Sequence, residues 1–172
     1  MAGKSIILMG VSGSGKSLVG TKLAQQLPAK FIDGDDLHPR NNIDKMSRGE
    51  SLNDDDRFPW LARLNDVSYS LYKKNEVGII VCSSLKRIYR DKLREGSPNI
   101  IFLWLKGDYE TIYSRMADRA GHFMPVALLQ SQFATLEEPL ADETDVFAVD
   151  VNATVEEVTA RCITVLQNLN QQ

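Results

Sequence analysis

The run Gly10-Val11-Ser12-Gly13-Ser14-Gly15-Lys16-Ser17 carries the spacing G-x-x-x-x-G-K-[ST], and each residue type in it has a task around a polyphosphate. Glycines at 10, 13 and 15 let the backbone take positive φ and approach phosphate with no Cβ in the way. Successive amides then converge on the ligand, and the positive end of a following helix adds to them. Lys16 would neutralise the β and γ phosphates, and the Ser17 hydroxyl would ligate Mg²⁺. A Gly/Ser-rich turn could match this spacing by chance. Here the apolar run Ile6-Ile7-Leu8-Met9 precedes it and Leu18-Val19-Gly20-Thr21-Lys22-Leu23 follows, which is strand, loop, helix.

Phosphoryl chemistry also needs an acid to complete a metal shell or to orient a nucleophile. Asp33-Gly34-Asp35-Asp36 follows the short strand pattern Lys30-Phe31-Ile32, where ligands of open α/β sheets bind. The Ile79 to Ser84 strand has no acid at its end, and Asp108 stands behind Lys106-Gly107, so Asp33 and Asp35 are the candidates. Arg57 sits in the first turn of a helix, opposed to the helix dipole, and is free to reach an anionic ligand. Lys86, Arg87 and Arg90 crowd the end of a buried strand, where an acidic group of a substrate would lie; the rest of that cationic helix reads as a solvated face. Arg115 and Arg119 are one turn apart. The break from Gly121 through His122 to Pro125 makes the next segment a flap that could carry Arg119 over a triphosphate.

Behind these residues stands a regular alternation. Val19, Leu23 and Leu27 recur at helical spacing until Pro28. Residues 37–56 are polar and rich in turn formers, which predicts a mobile excursion rather than core. Trp60, Leu64, Val67 and Leu71 then stripe a long helix, with Asp54-Asp55-Asp56 suiting its positive end. Gly78 to Ser84, Ile100 to Leu105 and Val146 to Val151 read as buried strands. Asp108 caps a helix along Tyr109, Ile112, Tyr113 and Met116, and Thr154-Val155-Glu156-Glu157 begins another with a capping box. The stripe Leu128, Leu129, Gln132, Phe133, Leu136 reads as packing alone. Five strands alternating with helices predict an α/β, three-layer fold around a five-stranded parallel sheet. The core would comprise 1–36, 77–118 and 140–172, with a helical substrate-binding insertion at 37–76 and a lid at 119–139.

At 172 residues the chain fits one domain. Its 20 Lys+Arg against 23 Asp+Glu leave a net charge of −3, which argues against nucleic acid or an anionic membrane as main partner. Cys82 and Cys162 lie far apart in apolar settings and read as free thiols in a reducing compartment. The longest unbroken apolar run, Ile100 to Leu105, is far short of the ~20 residues a membrane span requires. These points predict a cytoplasmic protein. Two function classes compete: a small-molecule kinase and a nucleotide-dependent switch. A GTPase switch would carry Asn-Lys-x-Asp, which this sequence lacks, and its one Asp-x-x-Gly match, Asp118 to Gly121, falls at a helix end.

Four segments together resemble the bacterial gluconate kinases: the loop 10–17, Phe31-Ile-Asp-Gly-Asp-Asp-Leu-His38, Cys82-Ser-Ser-Leu-Lys86 with Tyr89-Arg90-Asp91, and Gly121-His-Phe-Met-Pro125. The resemblance runs over essentially the whole chain. It implies a shikimate-kinase-like P-loop fold, ATP-dependent phosphorylation of D-gluconate with Mg²⁺, and commonly a homodimer. Carried over, Gly10 to Ser17 would hold ATP, with Lys16 on the β and γ phosphates, Ser17 on Mg²⁺ and Asp33 near the metal through water. By similarity to shikimate kinases, Asp35 would take or orient the acceptor hydroxyl proton and Arg57 would bind the substrate carboxylate. Arg119 would be the lid arginine and Arg115 would lie beside the adenine, while Lys86, Arg90 and His122 would contact substrate. Another sugar-acid kinase, or a shikimate kinase, is the alternative within this class.

Overall fold

The computed structural model describes residues 3–117 and 126–171, so the expectations for Arg119 and His122 lie outside the described residues. Five strands, β1 (Lys4–Met9), β2 (Lys30–Asp33), β3 (Val77–Val81), β4 (Ile100–Lys106) and β5 (Val146–Asp150), form one sheet in the order β2-β3-β1-β4-β5. Every pairing is parallel, with Ile7 opposite Ile80 on one side and Phe102 on the other. The helices are α1 (Lys16–Gln26), α2 (Arg40–Ser47), α3 (Asp54–Lys73), α4 (Arg87–Arg94), α5 (Tyr109–Ala117), α6 (Val126–Thr135) and α7 (Val155–Asn170).

The period of two along each strand divides the core into two layers. Ile6, Leu8, Ile79, Val81, Leu103 and Leu105 point to one side, where they meet Val19 and Leu23 of α1, Ile112 of α5 and Val158 and Cys162 of α7. Ile7, Met9, Ile80, Phe102 and Trp104 point to the other, against Trp60, Leu61 and Leu64 of α3 and Tyr89 and Leu93 of α4. The chain therefore leaves β1 toward one face and β3 toward the other, although these strands are neighbours. That divergence opens a cleft at their C-terminal ends, where open α/β sheets bind ligands.

Local chemistry sets the element ends. Asn53 caps α3 by accepting from the Asp56 amide at 2.8 Å, and the Asp56 carboxylate accepts from the Asn53 amide at 2.9 Å, a full capping box. Asp108 accepts from the Thr111 amide at 2.8 Å, which holds its carboxyl below the usual range, and Thr154 does the same for Glu157 at 3.1 Å. Two expectations differ in detail. The third strand stops at Val81, and Ser84, at φ 51°, then turns the chain. The polar stretch 37–56 contains α2, anchored by buried Asn42, whose amide donates to the Asp56 carbonyl at 2.9 Å.

One charged cluster is internal. Arg90 and Glu143 pair through two bonds of 2.7 and 2.9 Å with side chains only 1% exposed, and Arg94 adds a 2.7 Å bond to the same carboxylate. Arg90 also donates to the carbonyls of Ser84 at 2.8 Å and Glu137 at 3.0 Å, so one guanidinium ties together the loop after β3 and the segment before β5. The Arg90 bonds, then those of Arg94, hold the Glu143 carboxyl down at about 2. Removing either partner strands a buried charge. We expect Arg90→Ala or Glu143→Ala to cost about 3–5 kcal/mol in urea denaturation. Glu50→Ala, which breaks the exposed Arg48–Glu50 pair, should cost under about 1 kcal/mol.

Candidate active site

Between β1 and α1 the chain turns through a glycine-rich loop. Gly10, Gly13 and Gly15 have φ of 145°, 82° and 95°, so the positive angles required of this loop are present. Gly15 stands at the N-terminus of α1 with no side chain capping it, which leaves the first helical amides to a ligand. The Gly10 amide donates to the Ser83 carbonyl at 3.1 Å and fixes the loop to the end of β3. Lys16 folds back over the loop, and its ammonium donates to the carbonyls of Gly10 at 2.7 Å and Val11 at 2.9 Å. Desolvation lowers its pKa to about 8, against the pull of Cys82, Asp35 and Asp33.

Lys16 and Ser17 share a cavity of about 230 Å³ with Asp33 and Asp35. Asp33 is locked there, since its Oδ1 accepts from the Asp35 amide at 3.0 Å and begins a 3-10 turn, Gly34–Leu37. Asp35 projects from that turn, and desolvation, then the neighbouring Asp33 charge, raise its pKa above the ordinary value. Two buried contacts hold the turn. The Trp60 indole donates to the Gly34 carbonyl at 2.8 Å, and the His38 ring stacks on Trp60 with centroids 4.2 Å apart. Asn42 lies 3.1 Å from His38 Nδ1, and its amide is the donor there because it donates to Asp56 as well. The proton of the neutral ring therefore sits on Nε2, which is 3.9 Å from Asp35. Burial lowers the His38 pKa and keeps the ring neutral.

A second cavity, about 460 Å³, adjoins the first; Val81 lines one and Cys82 the other. Arg57, Asp54, Lys86 and Tyr89 make its polar wall. Arg57 donates to the Leu52 carbonyl at 2.8 Å and the Tyr89 hydroxyl at 3.2 Å, the hydroxyl donates to Asp54 at 2.5 Å, and Lys86 donates to Asp54 at 3.2 Å. The Tyr89 bond, then Lys86, hold the Asp54 carboxyl below its usual range. From α6, Leu128, Ser131, Gln132 and Thr135 close the opposite side. A third cavity, about 250 Å³, runs from Gly13 and Gly15 past Arg115 to Val155 and Val158. Arg115 donates there to the Ala153 carbonyl at 2.7 Å.

Lys16, Ser17, Asp33 and Asp35 thus come together, with Arg57 and Lys86 in the adjoining pocket and Arg115 at the far end of the loop. Arg90, expected on the substrate, is not in the pocket: it is 0% exposed, and its guanidinium is spent on Glu143 and three carbonyls. Arg87 turns outward to Asp142 at 2.8 Å. Sequence reasoning missed Asp54, Tyr89 and Gln132. Asp54 read as a helix-dipole residue and Gln132 as part of a packing stripe; only Tyr89 had a signal, in the segment Tyr89-Arg90-Asp91.

Mg²⁺ suits this donor set. Ser17 is exposed beside Asp33 and Asp35, and among the described residues no group of three His, Cys, Asp or Glu could hold a metal alone. Mg²⁺ takes such hard oxygen ligands and fills the rest of its shell with phosphate oxygens and water.

A glycine loop with its lysine, an acid at the next strand end and a cationic pocket beside them define a P-loop phosphotransferase. The family model described as shikimate kinase matches residues 12–167. The chain is 68% identical to the thermosensitive gluconokinase of Escherichia coli strain K12, over 94% of this chain and 87% of that protein. It is 56% identical to the thermoresistant gluconokinase of the same organism, over 94% and 92%. A crystal structure of a gluconokinase from Sinorhizobium meliloti 1021 superposes with a TM-score of 0.86 at 46% identity, covering 96% of this chain and 93% of that one. The chain belongs to the gluconokinase family, within the shikimate-kinase-like P-loop kinases.

The Lys16 environment makes a pH prediction. A triphosphate favours the ammonium, so above pH of about 8 the free protein must take up a proton to bind, and affinity falls toward tenfold per pH unit. Calorimetry at a pH of about 9, in buffers of differing ionisation enthalpy, should register that uptake, which should vanish at a pH of about 6.

Proposed function

We propose that this protein transfers the γ-phosphoryl group of ATP to D-gluconate, giving 6-phospho-D-gluconate. The observation that carries this reading is the adjacency of two cavities. One holds Lys16, Ser17, Asp33 and Asp35, and the other presents Arg57 and Lys86 to an acidic acceptor. The gluconokinase relatives supply the identity of that acceptor.

In this mechanism the amides of Gly13, Gly15, Lys16 and Ser17 cradle the phosphates, and Lys16 leaves its loop carbonyls for the β and γ oxygens. Arg115, beside Gly13 and Val155, flanks the adenine. Bound Mg²⁺ would neutralise phosphate charge, with Ser17 as ligand and Asp33 acting through water. Arg57 and Lys86 take the carboxylate of the acceptor and aim its far hydroxyl at Asp35. Asp35 removes or orients the hydroxyl proton as the oxygen attacks in line, with Nε2 of neutral His38 3.9 Å from that carboxylate. Arg119, on the lid at 119–139, would complete charge neutralisation, with His122 beside the substrate. The insertion 37–76 brings the acceptor and the core brings ATP. Buried free thiols at Cys82 and Cys162 fit a cytoplasmic enzyme, and a homodimer follows the family resemblance.

Four measurements test this reading. An ATP-coupled screen of gluconate, idonate, shikimate and a neutral hexose should rank gluconate first; shikimate in first place would reject it. Asp35→Asn should lower kcat by about 10² or more while ATP still binds. In the unaltered enzyme kcat should drop as pH falls through the raised Asp35 pKa, since only the carboxylate accepts a proton. Arg57→Ala should act mainly on the KM for gluconate, and an effect confined to kcat would remove Arg57 from the carboxylate.

A further inference from the structure

One side chain of the larger pocket is bonded directly to the phosphate loop. Gln132 of α6 accepts from the Ser12 amide at 2.6 Å through Oε1 and donates to the Ser12 hydroxyl at 2.8 Å through Nε2. Ser12 lines the phosphate cavity and Gln132 the acceptor pocket, so the pair stands where a phosphoryl group must cross. The bond orientation is fixed, because a backbone amide can only donate. A carbonyl oxygen therefore occupies the position that a loop amide offers to a phosphate oxygen, and a neutral carboxamide stands in for the anion. The remaining pocket-facing residues of α6, Leu128, Ser131 and Thr135, have no comparable bond to the loop.

We infer that Gln132 is a contact of the transferred phosphoryl group. When the γ-phosphate arrives, its oxygen takes the Ser12 amide and displaces Oε1. The carboxamide then turns its donor end, Nε2, toward the phosphoryl oxygens as they move to the acceptor. The same exchange tells α6 that a triphosphate rather than a diphosphate is present. This rests on the kinase reading above and adds to it a residue that senses the γ-phosphate.

The test compares Gln132→Glu and Gln132→Ala with the unaltered enzyme, by calorimetry with ADP and with a non-hydrolysable ATP analogue and by gluconate-dependent turnover. Glutamate keeps an acceptor for both Ser12 groups but sets an anion against the γ-phosphate. We expect Gln132→Glu to bind ADP normally and to lose about tenfold or more in affinity for the analogue. We expect Gln132→Ala to bind ADP normally and to lose about tenfold in kcat with little change in the KM for gluconate. A brace serving structure alone predicts otherwise: Gln132→Glu would match the unaltered enzyme, and Gln132→Ala would shift ADP and analogue together. Either result, or loss of ADP binding in both variants, overturns the inference. An unaltered enzyme that binds the analogue but leaves gluconate untouched would instead reject the acceptor reading, with the ADP and analogue comparison still standing.

Discussion

The loop between β1 and α1 holds backbone donors that no helix or strand uses, and the rest of the molecule is arranged so that this can persist. Unpaired amides are costly unless a ligand or a local stand-in meets them. Here Lys16 turns inward to the loop carbonyls and Gln132 meets the Ser12 amide. The glycine angles give the loop its shape, and the Gly10 to Ser83 bond sets it against the neighbouring strand. Because β1 is the middle strand, that anchor lies at the centre of the sheet, with β3 on one side and β4 on the other.

The acidic side of the cleft is held with equal care by very different means. Asp35 sits on a short turn that has few bonds of its own, and its position depends on Trp60, His38 and Asn42 around it. All three belong to the 37–76 excursion or its border, so that region acts as a mould for the turn as well as a wall for the acceptor. On the opposite flank, the buried Arg90–Glu143 pair fixes the Ser84 and Leu85 carbonyls and hence the approach of Lys86 to its pocket. A cation adjacent in sequence to the site thus supports it from behind.

The sheet, its helices and the phosphate half of the site were legible from the sequence because local rules govern them. Apolar runs of up to six residues, a glycine spacing and capping residues each act over a few positions. Asp33 and Asp35 were legible for the same reason, as acids at a strand end. Arg90 was misread because its partner, Glu143, is 53 residues away and its burial depends on packing no periodicity encodes. Gln132 escaped notice because its partner is 120 residues away, and a glutamine in an apolar stripe looks like tolerated surface. Asp54 already had a sufficient explanation in the helix dipole, which hid its bonds to Tyr89 and Lys86. The 37–56 stretch read as a mobile excursion because α2 is stabilised through Asn42 and not through an apolar stripe.

The polar wall of the larger cavity also has an electrical remainder. Arg57 and Lys86 contribute two positive charges and Asp54 one negative, two less one leaving a single positive charge facing the pocket. In the proposed reading, a guest with one carboxylate cancels it. A neutral sugar leaves the surplus standing, and a dicarboxylate overshoots it by the same amount. Since Asp54 already holds Lys86 and Tyr89 in place, the arriving anion meets partners whose geometry is set and need not gather them. The pocket is then a counter of charge before it is a reader of hydroxyl groups, and its internal aspartate sets the count at one.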